Sequence, residues 1–156
     1  MNNDINHYRS RGARALVLMH EAEMREFAEV WREAYVKHIP TKGYGESDEA
    51  AYKYILFHVF AASRGYIRWI CEKLGLPDPE INKPPAEGDE ELITGLDSYL
   101  DHLLERWRLP LADLPEERME EEFKSRWGMT YAVDAMLEHA VMHPKRHAFQ
   151  IREWGK

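Results

Sequence analysis

Residues 139–150 read HAVMHPKRHAFQ, which sets His139, His143 and His147 four positions apart and puts Pro144 between the last two. On a helix, residues four apart lie about 6 Å along the axis and about 40° around it, so their side chains share a face. His143 and His147 can therefore aim at one point, the spacing that two zinc ligands use in HExxH helices. Pro144 lacks the N–H that would bond to the Ala140 carbonyl, and its ring crowds that carbonyl, at a cost of about 3 kcal/mol. The bond from the His147 N–H to the His143 carbonyl is untouched, so the turn carrying the two rings can stay intact. The alternative is that Pro144 starts a new helix with His143 just outside it, because a residue before proline is pushed toward extended dihedrals. His139 with His143 is a rival pair. Pro144 distorts the turn between those two, which favours 143 with 147 and leaves Glu138 and His139 behind or beside the site.

Outward from this stretch, a helix is expected from near Thr130–Val133 to about Trp154. Upstream, Gly12 to about His38 is helical in pattern, with Leu16, Met19, Glu23, Phe27, Val30 and Ala34 as the inward stripe. Pro40 to Gly45 breaks it. Ser47 and Asp48 can cap a second helix that runs to about Leu74, with Ala51, Ile55, His58, Ala62, Gly65 and Trp69 inward. The segment GLPDPEINKPPAEGDE is a long turn region. A third helix covers roughly 90–107, with Leu92, Leu96, Tyr99, Leu103 and Leu104 inward, and LPLADLP stops it. Residues 116–129 fit either a short helix or an irregular crossover. No sustained two-residue alternation is present, so little or no β structure is expected. The first eleven residues are polar and expected to be poorly ordered. The pattern predicts an all-α protein: one domain over residues 1–156, a four-helix bundle with long crossover connections.

The chain has 156 residues, 44% hydrophobic and 31% charged, an ordinary globular composition for a single core. Its formal net charge of -7 argues against nucleic acid and anionic membranes, which need a basic footprint. No long apolar run or signal-like segment is visible, and Cys71 has no disulfide partner, which points to the cytoplasm. The abundant Trp and Tyr suggest a core or pocket lined by aromatics.

A histidine pair on one helix needs further ligands. His58, flanked by Phe57 and Val59 on the inward stripe of the second helix, is the best third ligand. Three histidines would leave one coordination position open, as catalytic zinc sites do. The bland reading is that His58 is a hydrogen-bonded core residue. His20 could also line a pocket, whereas His7, His38 and His102 look peripheral. Other chemistries fail on their motifs. No Glu-x-x-His pair exists for a carboxylate di-iron site, HEAEM at 20–24 ends in methionine rather than histidine, and there is no P-loop or GxGxxG. Cys71 lies about 20 Å along the helix from His58 and reads as a buried thiol.

The motifs ILFHVFAA, around His58, and WGMTYAVDAMLEHAVMHPKRHAFQI together resemble the DinB-like superfamily of metalloenzymes, over about residues 16–154. The resemblance implies a four-helix bundle, often dimeric, in which His58, His143 and His147 bind a divalent metal, zinc or nickel foremost and iron or manganese as further options. Many relatives carry a histidine where Arg146 stands and a glycine where Phe149 stands, with Gln150 retained. Characterised relatives include bacillithiol- and mycothiol-dependent S-transferases and a thiol-dependent maleylpyruvate isomerase. The resemblance thus implies a small-molecule substrate, a low-molecular-weight thiol, and a homodimer. Glu23, His20 and Glu138 are the candidates for a general base. Two other readings stand beside the enzyme: a noncatalytic dimeric interaction protein, and a metal-free bundle with core histidines.

Overall fold

The computed structural model describes residues 5–156, and the molecule is predominantly helical. The first long helix, α1 (Arg11–Val36), begins where Ser10 accepts the Ala13 N–H at 2.9 Å. The second, α2 (Asp48–Leu74), starts in the same way at Ser47, with Asp48 and Glu49 in its first turn, and ends at Gly75 in the left-handed region. The expected third helix divides into α3 (Glu91–Thr94) and α4 (Leu96–Trp107). Gly95 sits at the break, where a Cβ would come within 2.8 Å of the Glu91 carbonyl oxygen. The last helix, α5 (Val133–Trp154), runs unbroken through Pro144, with His143 inside it and both residues buried. A helix restarting at Pro144 is therefore not what the chain adopts.

Two further expectations are corrected along the chain. The first concerns residues 116–129, which form a 3₁₀ turn at Glu116–Glu120 and then a small antiparallel hairpin of β1 (Glu122–Lys124) and β2 (Thr130–Ala132). Its turn is closed by Ser125, whose N–H donates to the Met129 carbonyl and whose Oγ accepts the Met129 N–H, with Gly128 at a φ of 90°. Three-residue strands are too short to show a period. The second concerns the N-terminus. Residues 1–4 lie outside the described part, but residues 5–10 are tied down. Tyr8 donates its hydroxyl to the Arg108 carbonyl, and the Arg9 N–H donates to the Ala112 carbonyl.

One continuous core draws on α1, α2, α4, α5 and their connections. The buried side of α1 is Ala13, Val17, His20, Met24, Phe27, Ala28, Trp31 and Ala34, so the expected stripe was rotated: Met19 is 52% exposed. Trp31 decides the orientation, because its Nε1–H donates to the Tyr52 carbonyl at 2.9 Å from inside the core. On α2, Ala51, Ile55 and Trp69 are buried as expected, but Leu56, Val59, Phe60, Ser63 and Ile67 fill the core. His58, Ala62 and Gly65 are only half-buried, along the side that faces α5. The proline-rich connection is pinned by Arg64, Tyr99 and Arg106, which donate to the carbonyls of Ile81, Asn82 and Pro79. No described helix is long and apolar enough to cross a membrane.

Candidate metal centre

The half-buried side of α2 carries His58, and α5 presents His143 and His147 against it. One ring nitrogen from each lies within 4.8 Å of the other two, and among the described residues no cysteine or carboxylate joins the group. The ring centroids are 4.7 Å apart for His58 and His143, 5.1 Å for His58 and His147, and 4.8 Å for His143 and His147. His143 is the buried floor, while His58 and His147 form a half-buried rim.

Hydrogen bonds fix how the rings are presented. The His147 Nδ1–H donates to Gln150 Oε1 at 3.0 Å, which leaves the lone pair on Nε2 for coordination. His58 is held by the stacked ring of Tyr54 at 5.6 Å, one turn earlier on α2. The Nε2 atoms of His58 and His143 face each other at 2.9 Å. This is hydrogen-bond spacing: two imidazoles on one tetrahedral ion with metal–nitrogen bonds of about 2.0–2.1 Å sit about 3.3 Å apart. The His58–His143 pair thus needs only a few tenths of an ångström of opening to accept an ion, and because the three nitrogens spread over as much as 4.8 Å, the rings must draw closer together to share one. His143 Nδ1 is buried without a hydrogen-bond partner among the described residues.

The electrostatics suit the same purpose. Burial pushes His143 down to about 3, helped by His147, His58 and Arg146, whose positive forms would repel its own. Burial also lowers His58, and it lowers His147 against the opposing effect of Gln150. All three rings are neutral near pH 7, the form in which imidazole coordinates a metal. Three neutral nitrogens on two helices, joined by no fourth histidine, cysteine or carboxylate among the described residues, could hold a divalent ion and leave a coordination position for another molecule.

The three ligands expected from sequence are therefore brought together. The other candidates are not. His139 packs among Tyr66, Trp127 and Tyr131. His20 is fully buried, stacked on Trp107 at 3.7 Å, with Nε2 2.9 Å from Ser63 Oγ. Glu23 pairs with Lys145, and Glu138 is exposed. None of the three general-base candidates joins the triad. Burial pushes the Cys71 thiol up to about 12, so it holds no thiolate at neutral pH. Tyr54 and Gln150 were missed as supports, although their spacings, four before His58 and three after His147, were available in the sequence. Arg146 could not be placed from spacing alone.

No protein-family model matches the chain, and no characterised protein and no solved structure matches it.

Proposed function

We propose that this chain is a divalent-metal-dependent enzyme of the DinB-like type, with His58, His143 and His147 as ligands of one ion. The carrying observation is the convergence of three neutral imidazoles from α2 and α5, joined by no fourth histidine, cysteine or carboxylate among the described residues. The all-nitrogen set favours zinc or nickel and is compatible with iron or manganese. The proposed architecture is a four-helix bundle of α1, α2, α4 and α5 with long crossover connections. Supporting it, Arg108, Arg25 and Arg32 pair α1 with α4 through Glu21, Asp101 and Asp97, while the triad pairs α2 with α5.

The proposed substrate is a low-molecular-weight thiol, in an S-transfer or thiol-dependent isomerisation. A bound divalent ion supplies Lewis acidity, which lowers the pKa of a coordinated thiol toward neutrality. The chain's own part is to hold three ligand nitrogens together, with the His147 tautomer fixed through Gln150, to wall the site with Tyr54 and Tyr66, and to set the Arg146 charge beside it.

A second reading, a noncatalytic dimeric interaction protein, is favoured by Met142 and Phe149, seven residues apart on α5 and both exposed. A homodimer is compatible with either reading. The two are separated by metal content and turnover. Protein purified without a histidine tag should carry close to one divalent ion per chain by elemental analysis, and His143→Ala or His147→Ala should lose it. Metal-loaded protein should then conjugate a low-molecular-weight thiol to chlorodinitrobenzene or monochlorobimane. Metal far below one per chain sinks the enzyme reading, and full metal without turnover on any thiol sinks the transferase.

A further inference from the structure

A cleft of about 230 Å³ opens between α2 and the turn of the β1–β2 hairpin, lined by Gly65, Tyr66, Trp69, Arg126, Trp127 and Met136 among others. It adjoins the triad through Tyr66, whose ring lies 5.8 Å from that of His143 and forms part of the cleft wall. Its residues are an unusual combination. Gly65 is a glycine in mid-helix, which costs about 1 kcal/mol against alanine, and its missing side chain keeps the floor open. Arg126 extends its guanidinium across that floor, with Nη1 3.5 Å from where a Gly65 Cβ would stand. Arg126 makes no ion pair or hydrogen bond among the described residues, although acidic side chains outnumber basic ones in this chain, 28 to 21. Trp127 is 49% exposed, held from behind by Tyr131 at 5.4 Å and His139 at 5.4 Å.

An unpaired guanidinium offers a bidentate donor fork that matches a carboxylate. Tryptophan and tyrosine rings offer stacking or edge contacts to a flat ligand. The volume lies below the roughly 300–1,000 Å³ of drug-sized ligands, so the ligand is small. We propose that this cleft binds a small planar carboxylate, one aromatic or conjugated ring whose carboxylate pairs with Arg126 while Trp127 and Tyr66 flank the ring. This deepens the enzyme reading by naming the class of the second substrate, the one that meets the activated thiol, and it rests on that reading for its role in turnover.

Binding itself is tested without the metal. The full chain, treated with chelator, is titrated with benzoate and with benzamide by ligand-observed NMR. Benzoate should bind, and benzamide, which keeps the ring and loses the charge, should bind roughly tenfold more weakly or worse. Arg126→Gln should weaken benzoate by a similar factor and leave benzamide unchanged. Gly65→Met should abolish both, because its side chain fills the floor while remaining a good helix former; if that variant does not fold, the Arg126 comparison decides alone. Equal affinity for the two probes, or undiminished benzoate affinity in Arg126→Gln, overturns the proposal and leaves an apolar face that suits a protein partner. Benzoate binding seen only before chelation also overturns it, since the carboxylate would then sit on the ion. The metal content of the same samples is read separately, so the cleft and the triad can fail independently.

Discussion

At the scale of single residues, the triad depends on side chains that never touch an ion. The acceptor for the His147 Nδ1–H is Gln150 Oε1, and without it the ring is free to turn over and offer the wrong nitrogen. Such outer partners contribute about 10–100-fold to metal affinity. Gln150→Leu should therefore weaken metal binding by that order, measured by competition with a chromophoric chelator, while the stoichiometry at saturation stays the same. Unchanged affinity would mean that packing alone orients the ring. His20 makes a different prediction, because it is sealed against Trp107 and held at about 3 by burial. Between its ordinary value of 6.5 and about 3, the unfolded chain takes up a proton that the folded one refuses. The stability it permits is thus fully present above pH 6.5 and drains away as the pH falls toward 3, by up to about 1.4 kcal/mol per pH unit. His20→Phe, which keeps a ring against Trp107, should flatten the slope of urea-unfolding stability between pH 7 and 5 by about one proton's worth. An identical slope in wild type and variant would refute the assignment.

At the scale of elements, α2 carries both the closed and the open side of the molecule. Gly65→Ala should raise stability by about 0.5–1 kcal/mol in urea unfolding, since the added Cβ meets only the Arg126 Nη1 at ordinary contact distance. A loss of stability would show that the helix needs the bare backbone there. Much of this element could be read in advance. Ser47 and Asp48 announced its start, and His58 stood out as an imidazole amid Phe57 and Val59. The pairing of His143 with His147 was legible because a four-residue spacing has one geometric meaning on a helix. The face of α1 was not legible. Met19 and Trp31 have comparable claims to burial, and only the acceptor for the Trp31 indole, the Tyr52 carbonyl on another helix, settles which goes inside. The break at Gly95 and the hairpin at 122–132 escaped for related reasons. One is a single backbone kink in an otherwise periodic stretch, and the other consists of strands too short to alternate.

At the scale of the whole molecule, the triad joins α2 and α5 along a seam that also holds small side chains. The residues of α2 there, Ala61, Ala62 and Gly65, are small and half-buried, so the side chains on this seam bury less apolar surface than Phe60 and Trp107 do in the core. An ion held by His58 on one helix and by His143 and His147 on the other would act as a cross-link that exists only in the folded chain. Its contribution follows from mass action: at a free zinc concentration of 100 times the dissociation constant, the folded state gains about 2.7 kcal/mol. For a chain of this size that corresponds to a rise in melting temperature of about 5–10 °C. The decisive comparison is His58→Ala. It keeps the pair on α5, and with it whatever affinity the unfolded chain has for zinc, but removes the link between helices. Zinc should raise the melting temperature of the wild type and leave His58→Ala nearly unmoved, and magnesium, which takes oxygen ligands, should shift neither. Equal zinc shifts in the two proteins would place the bound ion on α5 alone and remove α2 from the site.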